Sequence, residues 1–205
     1  MAKVAAVILA AGESARFGKP KQFLRFRGKT LLRRIVDAAS EADCAPVIVV
    51  AGSGSDGVRE ELQATNAAVV ENKNWERGIG TSIRAGVQHL IDNANEVDAA
   101  MLLVCDQPFV DATVIKQLIS LREKTAKQIV ASSYAETLGV PALFDRSCFK
   151  ELLALNDSAG AKSIVLSNPE RLAKLYFPGA KIDIDTVADF EKLPHGLPPK
   201  NFLND

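Results

Sequence analysis

Lys3-Val-Ala-Ala-Val-Ile-Leu-Ala-Ala-Gly-Glu-Ser-Ala-Arg-Phe-Gly-Lys-Pro-Lys21 is the stretch around which the chain is organised. Val4 to Leu9 is unbroken apolar sequence, the pattern of a strand buried on both faces of a parallel sheet. It runs into Ala10-Ala11-Gly12, where the lack of bulk lets a ligand approach the backbone closely. Arg16, Lys19 and Lys21 follow within a few residues. A triphosphate needs this combination: backbone N–H groups to cradle it and fixed positive charge to neutralise it.

A phosphate loop of the Walker A kind is excluded. Five residues separate Gly12 from Gly18-Lys19 where that motif has four, and Pro20 stands where its magnesium-binding Ser or Thr would be. Outward from the opening stretch, apolar runs alternate with helical periodicity. Further strands are expected at 46–52, 67–71, 99–105 and 128–132, with late ones at 172–177 and 180–184. Helices are expected at 29–42, 58–63, 81–91, 110–124 (capped by Asp111), 148–155, 161–167 and 187–193. This alternation predicts one α/β domain over residues 1–205, a Rossmann-like three-layer, mostly parallel doubly wound sheet, with a flexible tail at 194–205. Ligands of such sheets lie beyond the carboxyl ends of the strands, so 10–21, 71–82 and 105–107 should share one edge.

The chain has 205 residues with 25 Lys and Arg against 25 Asp and Glu, and this zero net charge argues against a nucleic-acid partner. The charge is uneven, however. Between Glu13 and Asp37, Arg16, Lys19, Lys21, Arg25, Arg27, Lys29, Arg33 and Arg34 occur with no intervening carboxylate. That run suits a small polyanion, or for its later members a solvated basic helix face. No stretch is apolar and long enough to span a bilayer, and residues 1–12 lack a secretory signal's features. Cys44, Cys105 and Cys148 are far apart and form no C-x-x-C pair, so no disulfide or zinc site is expected and a reducing cytoplasm is.

Four further segments carry possible chemistry. Asp106 closes the 99–105 strand; it is either a turn residue or, since Asp111 is the better helix cap, a ligand for Mg²⁺ carrying phosphates. In Asp183-Ile-Asp185-Thr-Val-Ala-Asp189, Thr186 and Asp189 form a capping box, which leaves Asp185 free and Asp183 a solvated strand residue. In Asn72-Lys-Asn-Trp-Glu-Arg-Gly78-Ile-Gly-Thr-Ser82, the glycines permit a close loop and Ser82 is a helix cap or a ligand residue. Gly52-Ser-Gly-Ser-Asp-Gly57 has dinucleotide-fingerprint spacing, with Glu71 ending the next strand. The following helix is short, though, and Asp56 would oppose a pyrophosphate, so a strand-to-helix turn is the better reading. His89 and His195 have no partner pattern.

The opening stretch is similar to the signature L-A-A-G-x-S-x-R-x-G-x-x-K of the nucleotidyltransferases of the molybdenum-cofactor group, and most of all to their cytidylyltransferase branch. Leu102-Leu-Val-Cys-Asp-Gln-Pro108 resembles the family's C-D-Q-P, Asp183-Ile-Asp-Thr186 its D-x-D-T, and residues 72–86 its N-x-x-W-x-x-G-x-x-x-S-x-x-x-G. Leu138-Gly-Val-Pro-Ala-Leu-Phe144, otherwise a turn entering a buried strand, resembles G-x-P-x-L-F. Asn156 to Lys162 matches G-D-x-G-A-R imperfectly, with Asn156 in place of Gly, Lys162 in place of Arg and one residue inserted.

The resemblance implies a fold of the nucleotide-diphospho-sugar transferase type. It also implies nucleotide binding by Leu9, Ala10, Ala11, Gly12, Ser14, Arg16, Lys21, Asn72, Gly78 and Ser82. By the same resemblance Arg16, Lys21 and Asp106 are catalytic, Asp106 and Asp185 hold Mg²⁺, and Gly139, Pro141 and Asp157 bind the acceptor. CTP is the implied donor, because Ala11 stands where the guanylyl branch has Gly. Molybdopterin is the implied acceptor, with delivery to a molybdoenzyme or its chaperone. A sugar phosphate or methylerythritol phosphate as acceptor, an NAD(P)-dependent oxidoreductase and a nucleotide sensor are the alternatives.

Overall fold

Seven consecutive buried residues place β1 (Val4–Ala10) at the middle of the sheet. Val4, Ala6, Ile8 and Ala10 face one hydrophobic cluster, and Ala5, Val7 and Leu9 face another, as the two-residue period of a strand requires. The computed structural model describes residues 2–12 and 20–193. Ser14, Arg16, Gly18, Lys19, His195 and the expected tail lie outside them.

After β1 come β2 (Arg25–Phe26), β3 (Lys29–Thr30), α1 (Leu31–Glu41), β4 (Val47–Ala51), α2 (Ser55–Glu61), β5 (Ala68–Glu71), α3 (Ile79–Asn93) and β6 (Ala99–Val104). The remainder is α4 (Ala112–Thr125), β7 (Ile129–Tyr134), β8 (Thr137–Asp145), α5 (Phe149–Leu153), α6 (Lys162–Ser167), β9 (Leu172–Tyr176) and α7 (Val187–Glu191). The seven-stranded sheet runs β5-β4-β1-β6-β8-β7-β9. Its pairings are parallel except the two made by β8. Residues of α1 and α4 pack into the cluster on one face, and those of α3, α5 and α6 into the cluster on the other. The mostly parallel three-layer α/β sheet is the one the alternation predicts.

Local chemistry sets the element ends. Thr30 caps α1 by accepting from Arg33 N at 3.0 Å, so this helix starts two residues later than its periodicity suggests. Lys29 and Thr30 pair instead with Arg25 and Phe26 in a small hairpin. Each of the buried Leu31, Leu32, Ile35 and Val36 contributes roughly 1.5–3 kcal/mol by leaving water. Asp111 caps α4 as expected, accepting from Val114 N at 3.0 Å, and Thr186 and Asp189 form the expected capping box.

Two segments depart from expectation. Residues 137–145 form a full strand, β8, in the middle of the sheet. Pro141 is accommodated there by a register shift: Ala131 faces Ala142, the next residue Ser132 faces Gly139, and Val140 and Pro141 bulge between them. The 180–184 segment is not a strand. Pro178–Lys181 forms a 3-10 turn, and the full burial of Ala180 and Ile184 reflects packing of that turn rather than sheet pairing. Among the described residues no helix is long and apolar enough to cross a membrane.

Candidate active site

The carboxyl ends of β1 and β6 lie side by side, because Leu9 pairs with Val104. Ala11 and Gly12 continue from one strand, Cys105 and Asp106 from the other. Together with Lys21, Gln22, Ser82 and the loop carrying Trp75, Glu76, Gly78 and Ile79 they enclose a cleft of about 320 Å³. Of the residues implied to bind nucleotide, Leu9, Ala10, Ala11, Gly12, Lys21, Gly78 and Ser82 line it, as does Asp106. Ser14 and Arg16 lie outside the described residues.

Lys21 organises the cleft mouth. Its Nζ donates to Asp106 Oδ2 at 2.5 Å and to Asp185 Oδ1 at 3.3 Å. Asp185 arrives there because Ile184 N donates to the Asp106 carbonyl at 3.0 Å, which lays the late segment against the β6 end. Burial by itself would lower the Lys21 pKa, but Asp106 and then Asp185 outweigh it and raise the value, so the side chain stays an ammonium. Asp183 joins the group. The residue is exposed, yet partial burial of its carboxyl first and the charge of Asp106 second push it up to about 6, against the Gln107 amide and Lys21. Asp183 is solvent-exposed as expected, but it lies outside any strand.

Gln107, 5 % exposed, ties three segments together. Its Nε2 donates to Val140 O at 3.2 Å and Ala180 O at 3.0 Å, joining the Asp106 turn to the β8 bulge and to the turn before Asp183. Burial, then the charge of Asp106, pushes the Cys105 thiol up, so it stays protonated.

The opposite wall is a buried polar brace. Asn72, 5 % exposed, donates to Thr81 Oγ1 at 2.8 Å and Ser82 Oγ at 3.0 Å, and accepts from Asn74 N at 3.0 Å. It does not line the cleft; it fixes Ser82, which does. Ser82 is not the cap of α3, since the helix starts at Ile79 behind Gly78. Gly78 has φ +127°, and a Cβ there would lie 2.5 Å from Asp157 O, so both its backbone and its surroundings demand glycine. Asp157 is paired with Arg77 at 2.6 Å and with Arg84. Gly139 sits under the Tyr134 hydroxyl, and the Pro141 carbonyl accepts from Ser132 Oγ at 2.8 Å. Among the described residues, none of these three implied acceptor residues lines the cleft.

Two of the three glycines of the fingerprint-like segment face side chains, and Gly54 faces open space. A Cβ at Gly52 would meet the Trp75 indole at 2.9 Å, and one at Gly57 the Phe23 ring at 3.2 Å. The basic run is likewise used locally. Arg27 and Arg34 stack on Phe26 at 4.9 and 5.1 Å, Arg25 donates to Gly28 O, and Lys29 and Arg33 pair with Asp37. Gln22 lines the cleft outside any quoted motif, and Glu76, Ile79 and Val104 line it from unspecified positions within the quoted segments. Trp75 and Gln107 lie inside recognisable motifs; what sequence lacks is the burial of Gln107 and the packing of the Trp75 indole over Gly52.

Sheet, crossover helices and cleft together are those of the Rossmann-like nucleotidyltransferase fold. The chain belongs to the MobA-like NTP transferase domain family, which matches residues 6–172. The crystal structure of Rv0371c from Mycobacterium tuberculosis H37Rv is 30% identical, covers 93% of this chain and 96% of its own, and superposes with a TM-score of 0.77. A manganese complex of Rv0371c is also similar, at 28% identity, 93% and 97% coverage and a TM-score of 0.73. The molybdenum cofactor cytidylyltransferase of Escherichia coli K12 is 23% identical over 93% of this chain and 95% of its own length. The bifunctional protein GlmU of Bifidobacterium adolescentis is 25% identical over 93% of this chain, which spans only 42% of that protein.

Proposed function

We propose that the chain transfers a cytidylyl group from CTP to a phosphate of molybdopterin and releases pyrophosphate. One observation carries this reading: Lys21 bridges Asp106 and Asp185 at the mouth of a cleft built from the β1 and β6 ends. A phosphate oxygen of the acceptor attacks the α-phosphorus of the triphosphate. The new P–O bond forms as the bond to the β-phosphate oxygen breaks, and pyrophosphate leaves with that electron pair. The nucleophile is already an anion, so no side chain has to remove a proton, and no histidine is among the described residues lining the cleft. Alignment and charge neutralisation carry the step. Lys21 and Arg16 neutralise the departing pyrophosphate, while Ser82, held by Asn72, bounds the base side.

Magnesium suits the donor set. Two carboxylates converge on one cation, and Mg²⁺ is commonly held by one or two carboxylates with phosphates and water completing its shell. Asp106 and Asp185 would hold the ion, and among the described residues no cluster of three or more His, Cys, Asp or Glu ligands competes. When bound, it supplies positive charge to the phosphate oxygens. Ala11 and the full-length similarity to the Escherichia coli enzyme support CTP and molybdopterin, with delivery to a molybdoenzyme or its chaperone following from them. Gly139, Pro141 and Asp157 would shape the acceptor side through the β8 bulge and the 156–159 loop. A sugar-phosphate or methylerythritol-phosphate acceptor is the second reading, favoured by the exposed Lys162, which offers a point charge where Arg would give a planar fork.

Pyrophosphate release with each of the four NTPs, with molybdopterin and with a panel of sugar phosphates, tests this. CTP with molybdopterin should be fastest, and Asp106→Asn should lower turnover by roughly 10²–10³-fold or more. Full activity in that variant removes the metal role, and no release with any pair removes the reaction.

A further inference from the structure

Lys21 occupies the place a metal ion would need. Its ammonium lies within hydrogen-bond distance of carboxylate oxygens from both Asp106 and Asp185; 17 % of its own side chain and 23 % of that of Asp106 are exposed, against 49 % of that of Asp185. Two carboxylates that reach one ammonium repel each other unless a cation stands between them, and water screens the part-buried Asp106 less than Asp185. A divalent ion seated between these two carboxylates would repel the ammonium that already stands there, so the two cations compete for one position. The lysine has somewhere to go, since it lines the same cleft as Ala11 and Gly12, where a phosphate chain would lie.

We propose that Lys21 is a placeholder cation: it neutralises Asp106 and Asp185 while the cleft is empty, and swings onto the phosphates when a nucleotide brings the divalent metal. The inference rests on the reading of this cleft as a metal–nucleotide site. It makes metal binding depend on nucleotide, so the chain alone takes up the ion weakly. Removing Lys21 then has opposite effects on the two ligands: the metal alone binds more tightly, the nucleotide less so. A lysine that served only the phosphates would leave metal affinity unchanged. One that merely held the carboxylates in position would, once lost, weaken it.

The test is Mn²⁺ binding to the full chain without nucleotide, followed by the EPR signal of the free aqueous ion, for wild type, Lys21→Met and Lys21→Gln. Both variants should bind one Mn²⁺ about tenfold or more tightly than wild type and CTP about tenfold or more weakly. Adding Asp106→Asn to either should abolish the tight Mn²⁺ site. Unchanged or weaker Mn²⁺ binding in a folded variant overturns the placeholder role and leaves the transfer reading standing. Tight binding that survives Asp106→Asn overturns the location of the metal itself. Lys21→Gln keeps a donor for the carboxylates should Lys21→Met fail to fold. The Lys21 variants are not even needed to refute the idea: micromolar Mn²⁺ binding to wild type without nucleotide, lost in Asp106→Asn, overturns the proposal by itself.

Discussion

A methyl group at position 52 would sit 2.9 Å from the Trp75 indole, closer than real side chains approach. Gly52 is therefore the floor on which one wall of the cleft rests. Overpacking of this kind costs roughly 1–3 kcal/mol, so Gly52→Ala should lower thermal stability, displace the indole and raise the KM for nucleotide. Trp75 is the single tryptophan of the chain, which makes its fluorescence emission a direct reporter. Unchanged emission and melting temperature would show that the floor has slack. The same residue explains a limit of sequence reading: Gly-x-Gly-x-x-Gly spacing reports only that something approaches the backbone, and cannot tell a pyrophosphate from an indole. Asp106 and Lys21 could be picked out because motif and strand-end position agreed. Gln107 could not, because its role depends on burial against segments distant in sequence.

The strongest helices and strands were legible because amphipathic spacing and caps pointed the same way. β1, α1 and α4 are examples. β8 was obscured by Gly139 and Pro141, which normally argue against a central strand. Its bulge resolves that conflict, since Val140 and Pro141 are the residues left without a partner on β7. Ser132, fully buried, satisfies the freed Pro141 carbonyl from the neighbouring strand. Ser132→Ala leaves that carbonyl without its partner, a cost of about 1–3 kcal/mol. The expected signature is a lower urea midpoint with unchanged m-value, and faster amide exchange confined at first to β7 and β8. A variant as stable as wild type would mean that the bulge is held by its backbone alone.

At the scale of the molecule, the cleft is closed by contacts between segments that no local pattern connects, such as Ile184 with Asp106. Only resemblance to a family could bring Asp185 to Asp106 from sequence. Charged pairs fasten the layers in the same long-range way. Asp145, at the end of β8, accepts from Arg122 of α4 at 2.5 Å and from Ser147 N at 3.0 Å. Burial would raise its pKa, but Arg122 and Ser147 outweigh this and hold it below the ordinary 3.8. A carboxyl with a depressed native pKa stabilises the fold above its unfolded value and loses that contribution as the pH falls through the native one. Arg122 Nε is buried without a partner among the described residues, so loss of the Asp145 charge leaves the guanidinium poorly compensated. Asp145→Asn should therefore cost roughly 1.5–3 kcal/mol at neutral pH, the range for hydrogen bonds to charged groups. The gap to wild type should shrink once the pH drops below 3.8, because wild type then gives up the same charge. Urea unfolding of both proteins at pH 7 and pH 3 measures the two gaps, and equal gaps would mean that Asp145 acts through its shape and not its charge.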